Sequence, residues 1–198
     1  MTTGSSVPLK SKQKKRRTRR RKQQTSVGTM GEVTLARREL AATVKLNVSE
    51  QSANGAIHIV PDSFTFLKGI GKSFDRFRWS KIHFFYKPAV GTTYGGLVSI
   101  GIDWDSQAGV QDRQQISALT PNRAFSAWSD TEKSPLVLPT NRLQSREWYL
   151  PHRENADDID KGPGILKWAV DGEKTTTGKT IGEIWVDYSV SMSGTNSS

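Results

Sequence analysis

The chain has 198 residues and a net charge of +10, from 29 lysines and arginines against 19 aspartates and glutamates. It contains no cysteine, which excludes a disulfide framework, a thiolate nucleophile and a zinc–thiolate site. No apolar run approaches the roughly 20 residues that span a bilayer, and the N-terminal segment lacks the apolar region of a secretory signal peptide. The composition therefore predicts an intracellular protein that does not enter a membrane.

The positive charge is concentrated in one short segment near the N-terminus. Its basic residues are Lys10, Lys12, Lys14, Lys15, Arg16, Arg17, Arg19, Arg20, Arg21 and Lys22. The rest of the chain carries 19 basic and 19 acidic residues, so the whole net charge lies in this block. Because like charges repel and no core residue accompanies them, we predict a disordered basic arm over residues 1–38. Such an arm binds nucleic acid through phosphates, with little reading of sequence.

Two other interpretations of the basic block stay open. A cluster of this kind is also typical of a nuclear localisation signal, which can coexist with nucleic-acid binding. A polybasic membrane patch is the second alternative, although no lipidation motif begins the chain. Nucleic-acid binding is the interpretation that we favour.

The body over residues 39–198 is predicted to be an all-β domain, because alternating apolar and polar residues recur along it. The first and last candidate strands each place one apolar face against one polar face, at the period of two that a half-buried strand requires. The candidate strands are Leu40–Val48, Ala56–Val60, Trp79–Lys87, Leu97–Trp104, Ala124–Trp128, Ser145–Leu150, Ile165–Val170 and Ile184–Met192. Eight short strands separated by Gly, Pro or polar residues predict an antiparallel sandwich or barrel.

Two short helices are predicted between these strands. The first follows Asp62 and Ser63, a plausible N-cap pair. Its helical spacing rests on the residues Phe66, Ile70, Phe74 and Phe77. The second covers Asp112–Leu119 and is closed by Pro121, which cannot continue a helix.

Motifs for catalysis are lacking in the sequence. There is no nucleophile elbow, zinc-protease helix, Walker loop or dinucleotide fingerprint. The glycine-rich segment Gly91–Gly96 lacks the lysine and helix of a phosphate loop, so a hairpin turn is predicted there. His58, His83 and His152 are far apart in the sequence. We therefore predict that the chain is not an enzyme.

Four motifs follow one another in an order that resembles a known family. They are FRWSKIHFFYKP (77–88), GGLVSIGIDWD (95–105), GILKWAV (164–170) and GEIWVDYSVSM (182–192). The body resembles the shell domain of small plant-virus coat proteins of the tombusvirus and sobemovirus type. Ourmiavirus and barnavirus coat proteins fit the same plan.

The resemblance implies a fold and a function. The fold is an eight-stranded antiparallel jelly-roll sandwich in two four-stranded sheets, with Leu40–Val48 paired to Ile184–Met192. The function is that of a capsid protein, which joins copies of itself in an icosahedral or bacilliform shell and packages single-stranded RNA with its basic arm. The protein would occur in virions and in the host cytoplasm, and also in the nucleus if the arm acts as a signal. A protruding second domain is not expected, since the chain ends at Ser198.

The resemblance also implies a candidate calcium site at Asp103 and Asp105. These residues share a face at a strand end, about 6.6 Å apart along the strand, and hard cations prefer several carboxylate oxygens. In the family this Asp-x-Asp pair binds calcium at a subunit contact, where tombusviruses add a third aspartate at the position of Ala108. Asp112, or the acidic run at residues 157–160 of a neighbouring subunit, could replace it. The alternative is a solvated pair.

The six tryptophans and the neutral body bear on the rival functions. The tryptophans are Trp79, Trp104, Trp128, Trp148, Trp168 and Trp185. Their spread over the predicted strands favours packing in the core and at interfaces over a base-stacking platform. The first rival is a cellular RNA-binding β-domain with a basic tail, and the second is a ligand-binding β-sandwich with a nuclear-targeting tail. The lack of net charge outside the basic block favours the shell subunit over the first rival.

Overall fold

A computed structural model describes residues 24–28, 31–105, 109, 112–151, 157–174 and 176–195. The strands in this part of the chain are β1 (Gln24–Val27), β2 (Val33–Leu46), β3 (Ser52–His58), β4 (Phe74–Pro88), β5 (Leu97–Asp103), β6 (Asn122–Ser126), β7 (Leu136–Val137), β8 (Ile165–Asp171) and β9 (Lys179–Thr195). The helices are α1 (Thr65–Gly71), α2 (Arg113–Ser117), α3 (Thr140–Leu143) and α4 (Asp158–Lys161), and a 3₁₀ turn covers Pro61–Ser63. None of these helices is long and apolar enough to cross a membrane.

The strands form two antiparallel sheets, as a jelly roll requires. One sheet has five strands in the order β1-β2-β9-β4-β7, and the other has four in the order β3-β8-β5-β6. The predicted pairing of the first and last strands is confirmed, because β2 runs antiparallel to β9 from Val33↔Met192 to Leu46↔Lys179. The predicted all-β jelly-roll class is confirmed, and β1 adds a fifth strand to one sheet.

A single apolar core fills the space between the sheets. The alternation predicted for the last strand is confirmed, since its inward side chains from Ile184 to Met192 are almost completely buried. An aromatic cluster forms the centre of one half, where the Trp79 ring lies 5.9 Å from Phe64 and 5.7 Å from Tyr188. The indole N–H of Trp79 donates to the Ile59 carbonyl at 3.0 Å, so this buried polar group is satisfied.

Strand structure begins earlier than the predicted boundary between arm and body. Strand β1 and the first part of β2 lie within residues 24–38, which were assigned to the disordered arm. The boundary at residue 39 is therefore too late. The reason is sheet pairing: β2 continues along β9 as far as Val33↔Met192, and β1 then pairs with β2.

Two further predicted elements differ from the structure. The predicted strand Ser145–Leu150 is wrong, because this segment meets β4 only at one bridge between Tyr149 and Phe77. The first helix ends at Gly71, and the predicted helical residues Phe74 and Phe77 belong to β4 instead. Pairing with β9 overrides the helical spacing there. The second predicted helix is present as α2, with Asp112 as its N-cap.

Gly182 allows the Tyr86 ring to pack against β9 near the start of this strand, and its replacement by alanine tests this contact. A Cβ atom at Gly182 would lie 2.3 Å from the Cζ atom of Tyr86. The Tyr86 hydroxyl is held at 2.8 Å from the Ala127 carbonyl and 2.9 Å from the Ile181 carbonyl, so the ring cannot move freely. We expect Gly182→Ala to cost about 1–3 kcal/mol, or roughly 2–12 °C in Tm.

Thermal unfolding of the purified protein measures this effect. Gly69→Ala is the matched control, because Gly69 lies in α1 and a Cβ atom there meets no atom within 4 Å. It should raise Tm slightly, since alanine favours a helix over glycine by roughly 0.5–1 kcal/mol. Equal Tm values for Gly182→Ala and the wild type would contradict the close packing.

Candidate functional site

The ten predicted RNA-binding residues, from Lys10 to Lys22, lie outside the described residues. The described chain begins at Gln24 in β1, which is the edge strand of the five-stranded sheet. Thr25, Ser26 and Val27 of β1 are exposed, and within the described part of the chain β1 pairs with β2 alone. The segment that follows the basic block is therefore attached to the surface of the sandwich by one strand pairing.

Asp103 ends strand β5 and is bound by a buried lysine. Its Oδ2 atom lies 2.9 Å from the Nζ atom of Lys167, whose side chain is completely buried. Its Oδ1 atom accepts a hydrogen bond from the Asp105 main-chain N–H at 2.9 Å. The Lys167 ammonium also donates to the carbonyl of Gly109. Both carboxylate oxygens of Asp103 are therefore engaged within the subunit.

Helix α2 covers the face of the sheet on which Lys167 lies. Ile116 packs on Gly101, where an added Cβ atom would lie 3.1 Å from the Ile116 side chain. At the start of the helix, Arg113 forms an ion pair with Asp171 at the end of β8. This cover removes Lys167 from water, and a buried ammonium must be paired if it is to stay charged.

The acidic side chains at this end do not form the predicted calcium site within the subunit. Calcium takes six to eight oxygen ligands at about 2.3–2.6 Å, but an ion bound to Asp103 would face the Lys167 ammonium. Asp112, one of the proposed replacements for a third ligand, caps α2 by accepting from the Gln115 N–H at 2.8 Å. Within the described ranges, no three His, Asp or Glu side chains cluster closely enough to hold a metal ion.

The remaining acidic residues of the predicted site lie elsewhere. Asp157 and Asp158 stand at the start of α4, and Asp160 pairs with Arg146 at 3.1 Å. Ala108, the position of the third aspartate in tombusviruses, falls outside the described residues. Within the described residues of one subunit, Asp103 and its neighbours therefore do not form a set of calcium ligands, and a site shared between subunits stays a prediction.

Sequence reasoning missed Lys167. In the motif GILKWAV it alternates with Leu166 and Trp168, which predicts a side chain on the outer face of a strand. The structure confirms the alternation, but the outer face here is covered by α2. Gly101 could have predicted this cover, because a glycine within a strand often marks a place where another element packs closely on the sheet.

A second set of charges lies on the outer face of the five-stranded sheet. Phe85 points away from the core and is nevertheless only 1% exposed, because the Arg38 guanidinium and the Lys87 ammonium lie 4.6 and 5.8 Å from its ring centroid. Glu132 forms ion pairs with both cations. Asp187 pairs with Lys81 at 3.5 Å, next to this cluster. Each of these three cations is thus paired with a carboxylate on the same face.

The tryptophans divide between the core and the surface. Trp79 and Trp168 belong to the core, as packing predicts. Trp128 is 42% exposed, Trp148 lies under the guanidinium groups of Arg76 and Arg78 at 4.8 and 5.0 Å, and Trp185 lies 5.3 Å from the Lys87 ammonium. These rings are spread over different surfaces of the domain and do not form one platform for successive bases.

The strand order and the two packed sheets define a jelly-roll domain of the viral capsid type. The family model for the viral coat protein S domain matches residues 8–198. The chain belongs to the viral coat protein S-domain family. This confirms the resemblance to tombusvirus-type coat proteins. Capsid proteins are structural rather than catalytic, and at the level of the family the prediction that the chain is not an enzyme is confirmed.

Curated relatives are capsid proteins of plant viruses. The chain is 27% identical over 135 residues to the capsid protein of Cucumber necrosis virus, which covers 67% of this chain and 33% of that protein. It is 28% identical over 177 residues to the capsid protein of Melon necrotic spot virus, which covers 83% of this chain and 42% of that protein. The chain thus spans less than half the length of these two relatives.

Solved capsid structures share the fold. The structure of Cucumber Leaf Spot Virus matches with a TM-score of 0.71 and 27% identity, over 84% of this chain and 58% of that chain. The structure of Tobacco necrosis virus matches with a TM-score of 0.70 over 83% of this chain and 97% of that chain. Its identity of 16% makes it similar in fold alone.

The ion pairs of Glu132 predict a contribution to stability that is lost in acid. The hydrogen bond from Arg38 lowers the pKa of Glu132 below its ordinary value. A lowered folded-state pKa stabilises the protein above the unfolded pKa of about 4.5, and this contribution disappears as the pH falls through the lower folded value. We therefore expect the difference in stability between wild type and Glu132→Gln to shrink on acidification from about pH 6 to pH 3.

Urea unfolding midpoints at stepped pH measure this difference. Glu147→Gln, at an exposed position outside this cluster, is the matched control. Its difference from the wild type should change less over the same range. A wild-type advantage over Glu132→Gln that stays constant into strong acid would show that the carboxylate charge contributes nothing.

Proposed function

We propose that this chain forms the shell of a virus particle, in which copies of it assemble side by side and the basic arm packages single-stranded RNA. The particle is icosahedral or bacilliform, and the protein occurs in virions and in the cytoplasm of the host cell. The single observation that carries this proposal is the membership of the viral coat protein S-domain family, together with a jelly-roll body.

The distribution of charge supports the division of labour between arm and body. The body is neutral overall, so many copies can touch without net repulsion, whereas a body with ten positive charges would repel its neighbours. The basic block of the arm carries a charge of +10, equal to the net charge of the chain, and RNA phosphates neutralise it inside the shell. The attachment of the arm through the exposed edge strand β1 leaves the basic block able to reach RNA.

The cellular RNA-binding β-domain is the rival function, and particle formation separates the two. Electron microscopy of the purified protein should show closed particles. Uniform monomers under all assembly conditions would contradict the shell proposal. RNA binding by such monomers would favour the rival.

Deletion of residues 1–22 should abolish RNA packaging and leave the fold intact. The deletion removes all ten basic residues of the block but keeps β1. Circular dichroism should still show β-structure, and any particles should lack nucleic acid by their absorbance ratio at 260 and 280 nm. Loss of the β signal would show that the arm is part of the core, and particles with normal RNA content would show that the body packages RNA.

RNA binding by the free subunit should depend strongly on salt and weakly on sequence. If all ten arm charges met phosphates of a single strand, log K would fall against log salt with a slope of about −7. Partial contact lowers this value, so we expect a slope between about −4 and −7. Replacing Arg16, Arg17, Arg19, Arg20 and Arg21 by glutamine should reduce the slope by up to about 3.5. The measurement is a salt titration on two unrelated RNAs.

A variant with the same change in charge provides the matched control. Five exposed lysines of the body are changed to glutamine, namely Lys45, Lys68, Lys72, Lys133 and Lys174. This control should bind RNA with nearly the wild-type slope, because the body is not the binding part. Equal losses in the two variants would show that RNA responds to total charge, and a large loss on one RNA alone would show sequence reading by the body.

A further inference from the structure

We propose that the Lys167 ammonium occupies the position of a metal ion at the end of β5, where Asp103 and Asp105 lie. The contacts that hold this strand end to the rest of the protein then do not depend on calcium. The part of the proposal that concerns particles rests on the proposed shell function. The part that concerns the subunit does not, because it is carried by contacts within one chain.

The ammonium binds the oxygen types that a hard cation would bind. Its two described acceptors are a carboxylate oxygen of Asp103 at 2.9 Å and the main-chain carbonyl of Gly109. Carboxylate and carbonyl oxygens are also the ligands that calcium takes in proteins. The lysine therefore stands at a cation position between the strand end and the segment that follows it.

The same ammonium joins three parts of the chain. It comes from the middle of β8, it meets Asp103 at the end of β5, and it reaches Gly109, which is 58 residues away in sequence. The pair is removed from water, since Lys167 is 0% exposed and Asp103 is 8% exposed. Removing one partner of such a pair leaves an uncompensated buried charge, which is strongly destabilising. A chelator cannot extract a cation that is covalently part of the chain.

Terbium luminescence tests the proposal directly on the full-length free subunit. Tb³⁺ is a probe for calcium sites, and its emission is sensitised by a nearby tryptophan. Trp104 lies between the two aspartates, with its indole N–H held at 2.7 Å from the Thr120 carbonyl, so a reporter is already in place. We expect no saturable, calcium-competed emission from the wild type.

Two substitutions of Lys167 make the test sharper. Lys167→Ala removes the ammonium and opens space beside Asp103, so this variant should show saturable Tb³⁺ emission that added calcium reduces by competition. The emission should be lost in the double variant Lys167→Ala/Asp103→Asn. Lys167→Met is the matched control, because it removes the charge but fills the space, and it should not bind Tb³⁺. Lys167→Met should also lower Tm by roughly 6–20 °C, as expected for a broken buried pair.

Two results would overturn the proposal. One is wild-type emission that saturates, is competed by calcium and disappears in Asp103→Asn. The other is a folded Lys167→Ala that binds no Tb³⁺, which would mean that the ammonium does not stand at a cation position. If Lys167→Ala fails to fold by circular dichroism, the wild-type titration decides alone: emission that depends on Asp103 overturns the proposal, and its absence supports it.

Chelation of assembled particles provides the last comparison. Sedimentation of wild-type particles near neutral pH should be the same with EDTA and with calcium. Swelling in EDTA that calcium reverses would overturn the metal independence of the particle. Failure to form particles would contradict the shell function only, because the terbium result on the free subunit would still stand.

Discussion

The pairing of β9 with β2 on one side and β4 on the other is the constraint on which the rest of the structure depends. β9 runs over 17 residues and pairs along nearly its whole length with both neighbours. Its alternation sends Val186, Tyr188 and Val190 into the core, while Trp185 and Asp187 face outward. A slip of one residue would exchange these faces, so burial specifies the register on both sides. The edge strands β1 and β7 are attached only through β2 and β4.

The core side of β9 also positions the first helix. The Tyr188 hydroxyl donates to Glu39 Oε1 at 2.6 Å, and Glu39 Oε2 accepts from the Phe66 N–H at the start of α1 at 3.0 Å. Burial, with the hydrogen bond to Glu39 adding to it, raises the pKa of Tyr188 well above its ordinary value. The tyrosine therefore stays protonated as a donor, and one carboxylate ties the sheet to an otherwise uncapped helix N-terminus.

The charged side chains on the outer faces of the two sheets differ in their exposure to solvent. On the five-stranded sheet, Arg38 and Lys87 remain partly exposed and both pair with Glu132 over Phe85. On the four-stranded sheet, α2 covers the surface over the buried pair between Lys167 and Asp103. Because the body neutralises its charges locally, the net charge of the chain remains with the N-terminal block, where RNA is the proposed partner.

The class of fold, the central strands and the charged arm could be predicted from the sequence alone, because these features depend on patterns within short segments. A period of two predicted one buried face for each of the first and last strands, and the resemblance to coat proteins implied that they pair. Ten basic residues in one block were enough to predict an arm. Three features could not be predicted and are seen only in the folded chain: β1 extends the sheet, residues 145–150 form no strand, and Lys167 is buried. Tyr149 and Lys167 depend on partners distant in sequence, namely β4 for Tyr149 and α2 with Asp103 for Lys167. Strand β1 pairs with its neighbour β2, but β2 extends that far only because it pairs with β9. Alternation shows which side of a strand a residue takes, but what covers that side is a property of the folded chain.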